Sequence, residues 1–334
     1  MIGTPNRVGR RRGRLVTLLL SLAVAGTLTA CGGSDTDTSQ DAAPSGGSSD
    51  GAYPRTVTHD QGETVLEAKP QRIVALDNSL VEAVVALDGN LVGGISSYRD
   101  LGGFPEYLGD AVAETEEVGP LESPNLELIA TLDPDLIISA TVRHEDLYDQ
   151  LSAIAPTVFV ATTGPTWKDN IGLIAEALDE EDAAAEQLAA YEARATAIGT
   201  AVNEQLGDPT VSVVRFLDGP TRIYLPATFS GIILTDMGLA RPENQRDPEE
   251  FNIEISEEQI EQADADVLFY TSYSGGEERR ERFLANPLWE RLTAVQNGHA
   301  YDVRDEIWMT SVSLQGANQV LDDMAEIFGV DDAR

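Results

Sequence analysis

The 334-residue chain has a single cysteine, Cys31, and only three histidines, His59, His144 and His299. A lone cysteine excludes a disulfide framework and a thiolate metal cluster. The histidines are scattered without ligand spacing, which argues against a site for free zinc or manganese built from protein side chains. Basic charge is scarce, with 22 Lys and Arg against 57 Asp and Glu and a formal net charge of -35. Such a balance excludes a partner held by its phosphate backbone. Local catalytic signatures are missing as well: no Gly-x-Ser-x-Gly elbow joins a strand to a helix, no phosphate loop ends in Gly-Lys-Ser/Thr, and there is no His-Glu-x-x-His. Long hydrophobic runs are also lacking. The most apolar stretch, Leu15 to Ala30, is interrupted by Gly26 and by Ser and Thr, and falls short of the roughly 20 apolar residues of a membrane span.

That stretch follows Arg7, Arg10, Arg11, Arg12 and Arg14 and runs into Leu28-Thr29-Ala30-Cys31. Basic residues, then an apolar segment, then small residues before a cysteine are the order of a lipoprotein signal, with residues 1–30 removed and Cys31 acylated. Gly32 to Gly51 holds Gly, Ser, Asp, Thr, Gln, Ala and Pro and no large apolar side chain, so it cannot bury enough surface to offset chain entropy. Residues 31–52 therefore read as a lipidated flexible tether, placing the protein on the extracytoplasmic face of a cell membrane. Without the five arginines of the signal, 17 basic side chains remain against 57 acidic ones, which reads as a solvated acidic surface. Only Lys69 and Lys168 among the basic residues are lysines. Arginines kept in loops of so acidic a chain are candidates for recognising an anion.

From Arg72 onward, short apolar runs alternate with amphipathic segments, the pattern of an α/β fold with largely parallel sheets. Strands are expected at Ile73 to Leu76, Leu91 to Ile95, Leu136 to Ser139 and Val158 to Ala161, then at Val211 to Phe216, Arg222 to Leu225, Val267 to Tyr270 and Ala300 to Val303. Between the two series, Lys168 to Leu206 carries apolar residues at helical spacing, as one long helix or two nearly collinear ones with a kink near Asp179 to Asp182, stopped by Gly207-Asp208-Pro209. The layout is two Rossmann-like lobes, 53–167 and 207–334, joined by the helix 168–206. A faint repeat relates the lobes: Asn125 to Ile137 and Ser256 to Leu268 each run from a capping residue through a short helix with glutamate in its first turn and an acidic turn to a buried strand.

Across roughly Tyr53 to Phe328 the chain resembles the substrate-binding lipoproteins of ABC importers for ferric siderophores, haem and cobalamin. The resemblance rests on Arg72-Ile73-Val74-Ala75, Ser96-Ser97-Tyr98, the paired elements above and Asn286-Pro287-Leu288-Trp289. The stretch from Val211 to Phe216 and on to Gly238-Leu239-Ala240-Arg241-Pro242 is most similar to the ferric-siderophore branch. The resemblance implies a ligand cleft between the lobes, small closure, no cofactor and a monomer that delivers its ligand to a permease dimer with a cytoplasmic ATPase. It implies that Glu127 and Glu258 dock into the permease, although a glutamate in a first helical turn also simply favours the helix dipole. Open α/β sheets hold ligands beyond the carboxyl ends of their strands, so the candidate ligand-binding residues are Tyr98, Arg99, Arg143, Trp167, Arg215, Tyr224, Tyr273 and Trp308. Arginine forks and aromatic faces suit an oxygen-rich, often anionic iron chelate. Haem, taking Tyr98, His144 or Tyr273 as axial ligand, and cobalamin remain alternatives within this class. An extracellular hydrolase with a site assembled from distant residues is the alternative outside it.

Overall fold

The computed structural model describes residues 53–98 and 102–334. The expected signal, the tether with Cys31, and Arg99 lie outside the described residues.

The first lobe is built on five parallel strands. In chain order these are β3 (Ile73–Ala75), β4 (Leu91–Gly94), β5 (Glu116–Glu117), β6 (Leu136–Ala140) and β7 (Thr157–Val160), arranged β5-β4-β3-β6-β7. Every residue of β3, β6 and β7 is buried, as in strands covered on both faces. Helix α1 (Asn78–Ala86) follows β3 and is capped by Asp77, whose carboxylate accepts the Ser79 N–H. Helix α2 (Leu126–Thr131), capped by Asn125, precedes β6, and α3 (Thr141–His144) and α4 (Tyr148–Ser152) connect β6 to β7. Ahead of the sheet, β1 (Arg55–His59) and β2 (Gly62–Leu66) form an antiparallel hairpin.

The linking segment is two helices, α5 (Trp167–Leu178) and α6 (Glu181–Leu206), separated by Asp179 in a left-handed conformation at φ 59°. The break falls where the acidic cluster suggested a kink. At 1.5 Å per residue the 26 residues of α6 span about 39 Å. Tyr53 donates to the Ala177 carbonyl at 2.8 Å and Arg55 pairs with Asp179 and Glu181, fastening the hairpin to this junction.

The second lobe repeats the first with a mixed sheet, β10-β9-β8-β11-β12, from β8 (Val211–Phe216), β9 (Thr221–Tyr224), β10 (Asn252–Ile255), β11 (Val267–Ser272) and β12 (Ala300–Asp302). β8, β11 and β12 are parallel, whereas β9 runs antiparallel to both its neighbours. The sequence echo is structural: the turn of 3-10 helix Glu257–Ala263 stands before β11 as α2 stands before β6. Helices α7 (Phe229–Asp236), α8 (Glu277–Leu284), α9 (Thr293–Asn297) and α10 (Leu314–Phe328) complete the lobe. One apolar core runs from Ile73 and Leu136 through Ile174, Tyr191 and Ile198 to Phe269 and Phe328. It joins both sheets through the linking helices, and each lobe has a second, separate cluster. No helix among the described residues is long and apolar enough to cross a membrane.

Candidate functional site

Chain segments leaving the strand ends of both lobes meet around a cavity of about 280 Å³. From the first lobe come Asp77 and Asn78 after β3, Tyr98 after β4, Arg143 on α3 and Thr162 to Pro165 after β7. From the second come Arg215 near the end of β8, Arg222 and Tyr224 on β9, Phe251 before β10, and Met309, Thr310 and Val312 beyond β12. Met309 and Thr310 belong to a π-helical turn, Glu306–Thr310, and Val312 has φ 49°. A β-branched residue in the left-handed region is strained, and such strain gathers at binding sites.

The cleft carries two similar units, one on each lobe. In the first, Arg143 donates from Nε to Asp77 Oδ2 at 3.0 Å and from Nη2 to Thr163 Oγ1 at 3.3 Å, with its guanidinium carbon 4.9 Å from the centre of the Tyr98 ring. In the second, Arg215 donates from Nε and Nη2 to the two oxygens of Asp305 at 2.7 and 2.5 Å and from Nη1 to the Tyr224 hydroxyl at 3.2 Å. Its guanidinium carbon lies 4.3 Å from the Tyr273 ring centre. Tyr98 and Tyr273 come together between the lobes, their rings tilted at 59° with centres 6.5 Å apart. Burial works to lower the pKa of both arginines, but the Asp77 and Asp305 carboxylates override it and hold them above the ordinary value. Burial pushes the Asp305 carboxyl above the usual carboxylate range, against the opposing pull of Arg215.

Of the residues expected to bind ligand, Tyr98, Arg143, Arg215 and Tyr224 line this cavity, and Tyr273 reaches two of them, with its ring against Arg215 and Tyr98. The two tryptophans do not reach it. Trp167 is 3% exposed and packs edge-on against Tyr191 and Phe229 at 5.4 and 5.8 Å. It begins the apolar stripe Trp167, Ile171, Ile174, Ala175, Leu178 of α5, so the helical spacing that marks a core face includes it. Trp308 is fully buried 4.5 Å from Phe269, and its indole N–H donates to Asp323 at 2.9 Å. It sits inside a helical turn facing the sheet, and not in a loop beyond it. Both belong to the core.

Asp77, Asn78, Arg222, Phe251, Met309 and Val312 were not singled out from the sequence. Asp77 and Asn78 come one residue past the end of β3, and the strand-end rule applied to that strand would have selected them. Arg222 pairs with Glu254 at 3.2 Å. His144, considered above as an axial ligand, has both ring nitrogens engaged: Nε2 donates to the Leu121 carbonyl at 2.6 Å and Nδ1 accepts from Ser139 at 2.8 Å. Burial lowers its pKa. Glu127 and Glu258 are both exposed in the first turn of the two equivalent helical elements. The Ser256 hydroxyl donates to Glu258 at 2.7 Å and lowers the pKa of that carboxyl.

Residues 73–307 match the model of a family described as periplasmic binding protein. The chain is 38% identical over 93% of its length to a Bacillus subtilis protein named probable siderophore-binding lipoprotein YfiY, covering 97% of that relative. It is 29% identical over 78% of its length to the achromobactin-binding periplasmic protein of Dickeya dadantii, covering 87% of it. Among solved structures, Staphylococcus aureus SirA complexed with staphyloferrin B superposes with a TM-score of 0.77 at 29% identity, over 83% of this chain and 99% of that one. The matched family spans both lobes and the helices between them, and the chain belongs to it: this is a periplasmic binding protein, a binding protein and not an enzyme.

Proposed function

We propose that the protein is the extracytoplasmic substrate-binding component of an ABC importer, capturing a ferric siderophore and delivering it to a membrane permease for iron uptake. The observation that carries this reading is the pair of arginine–tyrosine units facing each other from the two lobes. Guanidinium forks supply directed N–H donors for the chelating oxygens of an iron complex, and the tyrosine rings cover its organic frame. Among the described residues no group of three or more His, Cys, Asp or Glu is close enough to hold a metal ion. Iron arriving inside its own chelator needs no such group. The names of the relatives support the same ligand class, since they include a probable siderophore-binding lipoprotein, an achromobactin-binding protein and a structure with staphyloferrin B. His144 has no ring nitrogen to offer a haem iron.

A lipid on Cys31 anchors the body to the membrane, in keeping with the lipoprotein relative. Glu127 and Glu258 present the loaded body to the two subunits of the permease through charge-assisted contacts. Capture and release involve no covalent step.

Calorimetric titration of the purified protein with ferric hydroxamates, ferric catecholates, haem and cobalamin tests the ligand. Saturable binding of a ferric siderophore is expected, weakened about tenfold or more by Arg143→Gln or Arg215→Gln, the range set by losing a charged hydrogen-bond donor. Binding of haem or cobalamin alone would replace the siderophore, and binding of none of them would overturn the reading.

A further inference from the structure

Every guanidinium lining the cleft among the described residues already has a carboxylate of its own. Arg143 has Asp77, Arg215 has Asp305 and Arg222 has Glu254. The first two carboxylates are not surface accidents. The Asp77 side chain is 2% exposed and that of Asp305 12% exposed, and a buried carboxylate is costly unless something offsets it. Capping does not require the charge at Asp77, because asparagine caps a helix as well as aspartate does. The pairs also take up only part of each guanidinium, which has five N–H donors. Arg143 spends one on Asp77 and Arg215 two on Asp305.

The consequence is a cleft rich in directed donors but balanced in charge. A site meant to draw in a strongly anionic complex would leave its arginines without acidic partners, above all in a chain with 57 acidic residues whose field repels anions. Here the reverse has been built, on both lobes.

We infer that Asp77 and Asp305 are specificity-determining residues: by pairing Arg143 and Arg215 they cancel the charge of the cleft, so that it selects iron(III) complexes of low net charge with neutral outward oxygen acceptors, such as hydroxamates, over trianionic tricatecholates. The inference rests on the ferric-siderophore reading and refines it. The two aspartates act through the arginines and hold them in position; they do not themselves meet the ligand's oxygens, since two acceptors have nothing to share.

The test compares the full-length protein with Asp77→Asn and Asp305→Asn by titration with a linear ferric trihydroxamate and a ferric tricatecholate at low and high salt. The unmodified protein is expected to favour the trihydroxamate at least 100-fold. Each substitution should narrow that preference at least tenfold, mainly through tighter tricatecholate binding, and high salt should erase part of the gain because the effect is Coulombic. Asp305→Glu, which keeps the charge, should keep the preference. An unmodified protein that prefers the tricatecholate would overturn the inference while leaving siderophore capture standing. Asparagine variants that weaken both complexes in proportion would also overturn it, reducing the aspartates to structural supports. An unmodified protein that binds neither ferric complex but takes haem or cobalamin would remove the siderophore reading, and this inference with it.

Discussion

Glu82 sits on α1 with no solvent exposure. Its carboxyl accepts from the Tyr107 hydroxyl at 2.7 Å on its own lobe and from the Ser313 hydroxyl, the cap of α10, on the other. Burial pushes its pKa up to about 8, against the lowering effect of the Ser313 and Tyr107 hydrogen bonds. Gln315 donates to the Glu82 carbonyl and Asn78 to the Thr310 carbonyl, both at 2.7 Å, so this helix face is where the lobes are tied. A carboxyl raised in the folded state binds a proton that the unfolded chain has already released. Between the ordinary glutamate value and about pH 8 the native state therefore holds more protons, and stability falls as pH rises, by up to about 1.4 kcal/mol per pH unit. Urea unfolding from pH 5 to pH 8 should show this slope, and Glu82→Gln should remove Glu82's share of it while the self-repulsion of the other acids remains. An unchanged slope in the variant would mean that Glu82 is ionised throughout. None of this was legible in the sequence, where Leu80-Val81-Glu82-Ala83-Val84 gives no hint that Ser313, 231 positions away, closes over the acid. The place of Arg143, Arg215, Tyr98 and Tyr224 in the lining of the cleft was legible because strand ends open into it by the geometry of the sheet itself. Trp167 and Trp308 were misplaced because an aromatic near a strand end serves a cleft or a core equally well until its neighbours are known.

At the level of elements, strands buried on both faces announce themselves as continuous apolar runs, and all eight strands expected from the sequence are present near their expected ends. The hairpin β1–β2 and the edge strands β5 and β10 escaped because they are short or alternate with polar residues, and their order comes from what they pack against. The crossing of α6 over α7 was equally silent, although its signal was there: Gly199 in a helix otherwise rich in alanine. A Cβ on Gly199 would lie 1.7 Å from the Met237 carbonyl oxygen, so the helices meet backbone to backbone. Gly199→Ala should destabilise the protein by about 1–3 kcal/mol or more through overpacking, outweighing a gain of about 1 kcal/mol in helix propensity. Gly172 on α5 has open space where its Cβ would stand, and Gly172→Ala should stabilise by about that propensity gain. Thermal or urea denaturation of the two variants should therefore move in opposite directions, and a Gly199→Ala variant as stable as the unmodified protein would show that α6 and α7 can separate at little cost.

Taken whole, the molecule has one core running through both lobes, which suits the proposed presentation of two fixed points to a permease. Glu127 and Glu258 occupy matching first turns before β6 and β11. Reversing both, as Glu127→Arg with Glu258→Arg, should abolish ligand-dependent iron uptake by cells while the purified protein keeps its ligand affinity within about twofold, since exposed charges outside the cleft are screened by salt. An equal loss of affinity would assign the two glutamates to ligand binding. The two-lobed plan was visible in the alternation of runs and in the repeat around these glutamates; the way the cleft balances its charges was not, because Asp305 and Arg215 are 90 positions apart. The same core has an optical consequence. All three tryptophans, Trp167, Trp289 and Trp308, are sealed inside it or inside the second lobe's own cluster. None of the three indoles lines the cleft, so a coloured iron chelate bound there dims their emission by energy transfer through the protein and not by stacking on them. Fluorescence from this protein therefore reports an absorbing ligand across the protein and not by touch.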